Sequence, residues 1–406
     1  MSDILSQGGD PGPRRWRRWV IPVAVLALVT VLIVEHFPHH RPGPARPRSA
    51  PASQAALPLV PLGLHPRQPG GVSGLAMSRD HSPRLPLAGP QPAWLWAATG
   101  REQPIGGLPR DESGYQFTRS PGGWAVQAGS GQAARCGTCA GPRVPVYFLA
   151  NGARSVTRLG TANQVAPGAS AGSLWLASYP PGADMRTTAA TAQEVSVTGA
   201  SSGPSFRLPA GYEIDQATDR GLLLAPTGKS GTPVFTLWNP ATGRASRSFD
   251  GVMAASATQV AWATRCAPLC HVRVLDLATG RQTIIALPGA SSAVNGAFSP
   301  DGKFLALQVS FDSQGDDGAL DMQLDVARVV TNRRPMRATS RPVPVPGISV
   351  SSDALVSFGW PARGDDLVAE LSFIADVQLA SWYPGARQVA VAVMRSGPQT
   401  GSLILR

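Results

Sequence analysis

VFTLWNPATGR, residues 234–244, reads as a strand, a turn and the start of a second strand, and its ending returns in HVRVLDLATGR, residues 271–281. Alternating aromatic and β-branched residues that stop at Asn-Pro or Asp-Leu and reach Gly three or four residues later are the mark of a β-hairpin. Asn239 and Asp276, which open the two turns, stand 37 residues apart. That is close to the roughly 40–45 residues that one four-stranded propeller blade occupies.

Outward from this pair the pattern continues in both directions, as WLWAAT at 94, VPVYFLANGAR at 144, SLWLASY at 173, GLLLAP at 221 and QVAWATRC at 259. No stretch here keeps a 3.6-residue apolar period for a dozen residues, so strands are expected and helices are not. The cysteines carry the same phase. Arg135-Cys136-x-x-Cys139 is echoed by Arg265-Cys266-x-x-x-Cys270, the first cysteines being 130 residues apart, or three periods of about 43. Asn151-Gly152-x-Arg154 follows the first pair as Thr279-Gly280-Arg281 follows the second, with the glycines 128 residues apart.

Composition agrees with an all-β body. Of 406 residues, 83 are Gly or Pro and only 15% are charged, while 43% are apolar, enough for a sizeable core. The formal charge of +11 does not point to nucleic acid, because residues 1–90 hold ten Arg against four acidic residues and so carry +6 of it. Arg outnumbers Lys 34 to 2, the stamp of a GC-rich coding sequence.

Val20 to Val34, VIPVAVLALVTVLIV, has no charge, and Pro22 sits in the first turn, where a missing N–H costs little. A transmembrane helix is expected over 19–36, with Trp16, Trp19 and Phe37 at the interfaces. Arg14, Arg15, Arg17 and Arg18 place the 1–18 segment in the cytoplasm and the rest outside, although Arg41, Arg46 and Arg48 also follow the helix. The Ala50-Pro51-Ala52 cleavage-like site lies far past the apolar run, which favours a retained anchor over a removable signal peptide. With thirteen Pro in its 57 residues, 37–93 reads as a disordered linker, and His36, His39 and His40 beside the membrane read as incidental rather than metal-binding.

FSPDGKFLAL at 298–307, with WYPGARQVAV at 382–391 as a degenerate copy, resembles the turn-and-strand signature of WD40-like and TolB-like propellers. The chain thus looks like an extracytoplasmic β-propeller of the kind found in high-GC Gram-positive bacteria. The 313 residues of the 94–406 domain, divided by about 43, give roughly seven blades. The apparent strand at Ser402-Leu-Ile-Leu-Arg406 is expected to close the ring with the segment around Trp94.

Four cysteines in an exported domain imply disulfides, for which three pairings are formally possible. Cys136 with Cys139 and Cys266 with Cys270 are favoured, as structural clips at hairpins. A redox role for Cys136-Gly-Thr-Cys139 needs a helix N-terminus, and Ala140-Gly-Pro142 cannot start one. Zinc would need all four thiolates to converge from blades three apart. Gly168-Ala-Ser170-Ala-Gly172 has the spacing of a nucleophile elbow, but a strand follows it, and the domain's one histidine is His271. Thr227-Gly-Lys-Ser230 lacks the first glycine of a phosphate loop, Leu223 standing in its place, and reads as a turn.

Asp312, Asp316, Asp317, Asp321 and Asp325 read as a solvated hairpin loop rather than a calcium site, since Asp317 stands where an EF-hand needs Gly. Trp124, Trp175, Trp238, Trp262, Trp360 and Trp382 recur at strand positions and read as blade packing rather than sugar-stacking platforms. Glu is scarce, with five in the domain, and no acidic pair recurs by blade. The resulting expectation is a membrane-anchored, non-catalytic binding or scaffold module. It would need no cofactor or metal and no nucleic acid, and would meet a protein or envelope component on its loops. The alternatives are a propeller hydrolase acting on glycans, which needs paired carboxylates at the central channel, and the sensor arm of an envelope signalling complex.

Overall fold

The computed structural model describes residues 84–88, 92–96, 101–110, 114–129, 139–228, 232–263, 266, 269–312, 320–330, 337–351, 355–360, 367–372, 377–382, 390–394 and 402–403. The expected transmembrane helix, the first 47 residues of the linker and Cys136 lie outside them. No helix among the described residues is long and apolar enough to cross a membrane.

Among the described residues every regular element is a strand, and these strands fall into seven sheets. Sheet I holds β1 (Arg84–Ala88), β2 (Ala93–Trp96) and β3 (Arg101–Pro104). Sheet II holds β4 (Tyr115–Ser120), β5 (Gly123–Ala128), β6 (Val144–Ala150) and β7 (Thr157–Ala162). Sheet III holds β8 (Gln164–Pro167), β9 (Ser173–Ser178), β10 (Thr191–Ser196) and β11 (Ser201–Arg207). Sheet IV holds β12 (Tyr212–Thr218), β13 (Gly221–Pro226), β14 (Val234–Asn239) and β15 (Arg244–Asp250).

Sheet V is built from β16 (Val252–Ala255), β17 (Gln259–Ala263), β18 (Cys270–Asp276) and β19 (Gln282–Leu287). Sheet VI takes β20 (Ser292–Phe298), β21 (Phe304–Asp312) and β22 (Leu320–Arg328). The chain then leaves sheet VI to add β23 (Arg337–Ser340) parallel to β19, at the outer edge of sheet V, and returns as β24 (Val343–Ser351), the fourth strand of sheet VI. Sheet VII holds β25 (Leu355–Gly359), β26 (Leu367–Ser372), β27 (Val377–Trp382) and β28 (Ala390–Met394). Finally β29 (Ser402–Leu403) pairs antiparallel with β1, Leu87 opposite Leu403, and completes sheet I. Sheet I therefore begins inside the stretch read as linker. The three prolines at 83, 86 and 90 hid a five-residue strand whose Leu85 and Leu87 pair with Leu95 and Ala93.

Apart from the added β23 and β29, each sheet is an up-and-down meander, and first strands of successive sheets touch along β4, β8 and β12 and along β16, β20 and β25. First strands gathered around an axis, with sheets radiating from them, make this a β-propeller. Core residues fill the wedges between sheets. Trp175, Ala177 and Tyr179 of sheet III and its outgoing loop meet Ile214, Leu222, Leu224 and Trp238 of sheet IV. Leu223, between two residues of that wedge, turns the other way to join Phe235 and Phe249 against Val260 and Leu275 of sheet V. Both faces of an inner strand are buried, so it reads as a continuous apolar run like GLLLAP rather than an alternating one. Each fully buried Leu contributes about 1.5–3 kcal/mol.

The two TGR turns are the same turn in successive sheets. Each joins the third strand to the fourth, with Gly243 and Gly280 donating to the carbonyls of Asn239 and Asp276 at 2.9 Å. The amides of Ala241 and Thr279 bond to the side-chain oxygens of those same residues, at 2.9 and 2.8 Å. Gly243 and Gly280 have φ of +67° and +71°, which is why both turns carry glycine there. The FSPDGK turn joins the first strand to the second of sheet VI and is tied by the Ser299 hydroxyl and the Asp301 carboxylate, which accept from the amides of Phe304 and Lys303. WYPGARQVAV is not its copy. Trp382 ends the third strand of sheet VII, and the positional equivalent of Phe298 is Trp360, where the first strand ends. The misreading has a simple cause: an aromatic residue before Pro ends a strand in either kind of hairpin.

Candidate functional site

The strand YEIDQAT, β12, lies innermost in sheet IV and carries two carboxylates, Glu213 and Asp215, on either side of Ile214. Ile214 is buried in the wedge with sheet III, whereas Glu213 is half-buried and Asp215 is exposed. The backbone between them is held from next door. The Gln164 side chain of β8 donates to the Ile214 carbonyl at 3.0 Å and accepts from the Ile214 amide at 3.4 Å. Tyr179, fully buried beyond the end of β9, donates its hydroxyl to the Tyr212 carbonyl at 3.2 Å. Its own amide is held by Asn163 at 2.7 Å, and Asn163 in turn donates to the Gly141 carbonyl at 2.6 Å.

Electrostatics separate the members of this group. Burial raises the Glu213 carboxyl. Asp215 is pushed up to about 6, first by burial and then by the Glu213 charge, although solvent reaches its side chain. A carboxylate that touches water yet is ringed by protein fits a narrow solvent-filled channel. Tyr179 is carried up to about 12 by burial and by Glu213. On another innermost strand, β4, burial lowers Arg119 to about 10, which leaves it cationic at neutral pH. Two carboxylates in each other's field, one poised to titrate near neutrality, can give and take a proton within one catalytic cycle.

The residues singled out from sequence are distributed otherwise. Cys266 and Cys270 form a disulfide, and Cys139 is also disulfide-bonded. Cys139 and Cys266 lie in the loops joining second to third strands of sheets II and V, three sheets apart as their spacing implied. Cys139 bridges to Asp184, and the Thr227 hydroxyl donates to the Met185 carbonyl at 3.1 Å, so the corresponding loops of sheets II, III and IV touch at one end of the molecule. That end is also where β12 begins. Ser170 lies in the hairpin between β8 and β9, its hydroxyl 3.3 Å from that of Ser173, and no helix follows it. Thr227 and Gly228 open the turn after β13.

The acidic cluster is no single loop, because Asp312 ends β21 and Asp321 and Asp325 belong to β22. Asp325 is buried, and its carboxyl is raised by burial against an opposing hydrogen bond from Gln323. Asp316 and Asp317 lie outside the described residues. Trp124, Trp175, Trp238, Trp360 and Trp382 are buried in the wedges, as packing residues are. The Glu213–Asp215 pair occurs on one inner strand and does not recur by blade, so a repeat pattern does not reveal it. Its signal was two carboxylates, two residues apart, within a single short strand.

No protein-family model matches the chain, and no curated protein is similar to it in sequence. Among solved structures, a chain from work on two prolyl endopeptidases and the role of their inter-domain dynamics is similar at a TM-score of 0.51 and 12% identity, over 80% of this chain and 50% of that one. The present chain thus spans about half the length of that enzyme. The β-propeller domain of the trilobed protease from Pyrococcus furiosus is similar at 0.43 and 7% identity, over 70% of this chain and 84% of that one. Hydrazine synthase of Kuenenia stuttgartiensis is similar at 0.39 and 12% identity, over 65% and 75%. These likenesses concern the fold. The expectation of a non-catalytic binding or scaffold module is corrected here, since the inner strand β12 carries an acidic pair, Glu213 and Asp215, although no such pair recurs by blade.

Proposed function

We propose that the chain is a propeller hydrolase in which Glu213 and Asp215 supply the acid and the base for cleavage of a glycosidic bond at the central channel. The observation that carries this reading is the pair itself: two carboxylates on an innermost strand, in each other's field, with no hydrogen bond or ion pair from the described residues. Two carboxyl groups flanking a glycosidic bond, one as acid and one as base with room for a water beside it, are what an inverting mechanism needs. Asp215, which stays partly protonated near neutral pH, serves as the acid that protonates the leaving oxygen. Glu213 takes the proton of the water.

The setting in this proposal is extracytoplasmic. The 19–36 segment anchors the protein, the linker spaces it from the bilayer, the seven sheets form seven blades closed by β29, and Cys136 pairs with Cys139. Reducing-sugar release from cell-envelope polysaccharides by the purified protein tests the function, with Asp215→Asn and Glu213→Gln each expected to lower turnover by 10²-fold or more. Unchanged turnover in both variants, or none from the unaltered protein on any envelope glycan, refutes it.

A further inference from the structure

The loop from β5 to β6 belongs to sheet II, but its closing residues leave that sheet. Cys139 forms a β-bridge with Asp184, and the Ala140 amide donates to the Ala183 carbonyl at 2.8 Å. Both partners lie in the loop between β9 and β10 of sheet III. Ala140 is buried with Trp175, Tyr179 and Ile214 in the core of the wedge between sheets III and IV. A short segment of sheet II thus reaches past sheet III into the next wedge. The disulfide at Cys139 pins its near end.

Asn163 carries the position of this segment onward. Its side chain donates to the Gly141 carbonyl at 2.6 Å and accepts from the Tyr179 amide at 2.7 Å. Its backbone is committed as well, the amide to the Ala177 carbonyl at 3.0 Å and the carbonyl to the Gln127 side chain at 3.3 Å. With all four groups engaged, Asn163 is held in one arrangement and fixes Tyr179 in turn. The Tyr179 hydroxyl then donates to the Tyr212 carbonyl at 3.2 Å, on the peptide that leads into Glu213. Within its sheet β12 has a ladder partner on one side only, β13. Side chains from sheet III, Tyr179 and Gln164, meet the backbone groups of Tyr212 and Ile214 instead.

Tyr212 and Ile214 stand on either side of Glu213, so its main chain is gripped before and after. The Glu213 charge acts both on the Tyr179 phenol and on Asp215. We propose that Tyr179 is a positioning residue for Glu213, seated by Asn163 and by the segment from Cys139 to Gly141, so that a loop of sheet II sets the place of the acidic pair. What the pair does rests on the hydrolase reading; where it is held rests on the hydrogen bonds. A side chain that only filled the wedge would need its ring and not its hydroxyl.

The test is a double-mutant cycle on the full chain in lipid nanodiscs, followed by differential scanning calorimetry at pH 7.5. Asp215→Asn removes a carboxylate that burial and the Glu213 charge disfavour, and so raises the melting temperature. In a Tyr179→Phe background, where Glu213 is no longer held, that rise should shrink by about a third. Asn163→Ala, which releases Tyr179 from its other side, should shrink it likewise and carries the comparison if Tyr179→Phe does not fold. No rise in the unaltered background, or the same rise in all three, overturns the positioning role. Turnover gives a second readout: Tyr179→Phe should lower kcat about tenfold while KM stays within about twofold, and an unchanged kcat overturns the role. The outcomes separate. A rise that shrinks, with no glycan turnover from the unaltered protein, supports the positioning and removes the hydrolase reading, while turnover with a rise that does not shrink removes the positioning alone.

Discussion

Replacing Asp215 by asparagine should stabilise the protein at neutral pH and not in acid. The folded carboxyl sits at about 6 against an ordinary 3.8, so the fold holds on to a proton that the unfolded chain releases. Below about pH 4 the two states are protonated alike and the residue costs nothing. Between about 4 and 6 the unfolded chain ionises first, and the penalty on the folded state grows until it is complete above 6. Taken whole, that gap corresponds to about 3 kcal/mol. Asp215 is solvent-exposed, however, and screening reduces the contribution to about 1 kcal/mol.

The 320 residues from Arg84 to Leu403 lose order on melting at about 2.1 cal/mol/K each, so Asp215→Asn should raise the melting temperature by about 1.5 °C at pH 7.5. Paired differential scanning calorimetry at pH 7.5 and pH 4 should show the rise only at the higher pH. Glu213→Gln, which removes the second cause of the shift, should shrink the gain and let it reach its full size at a lower pH. No gain at pH 7.5, or an equal gain at both values, refutes the account. A confirmed gain would identify a place where the fold gives up stability to keep a charge, as functional sites do.

Trp360→Ala removes a buried indole that donates to the Ala297 carbonyl at 2.9 Å and stacks on Phe304, and should cost about 3–5 kcal/mol in urea unfolding with the fold retained. The Cys266–Cys270 disulfide closes a loop of only four residues' separation, so Cys266→Ser together with Cys270→Ser should cost about 2 kcal/mol by the same measurement, far less than a crosslink between distant parts of the chain.

The radial architecture was legible because its determinants are local and repeated. Asn239 and Asp276 fix identical turns through their own side chains, and the cysteine loops keep phase because each blade is one supersecondary unit. Less visible were features that depend on another part of the chain. Nothing in RATS marks β23 as a strand, since its partner is β19, some fifty residues earlier in a different blade. RLPLA looked like linker because its prolines outweigh its two leucines until Leu85 and Leu87 find β2. The register slip in β12 was hidden more deeply, because an extra residue is defined only by the strand opposite it. Asp215 therefore passed as one more polar residue in an inner strand, when the slip between Ile214 and Gln216 is what brings it to solvent.

The pairing of β1 with β29 also sets a timetable. Leu87 and Leu403 are 316 positions apart. At about 5–20 residues per second, the ribosome needs roughly 15–60 s to pass from one to the other. Throughout that interval β1 has β2 on one side and an unpaired edge on the other, a template for pairing with any stray strand. Sheet I is thus begun first and completed last, and newly made copies crowded together risk trading their final strands with one another before each ring can shut.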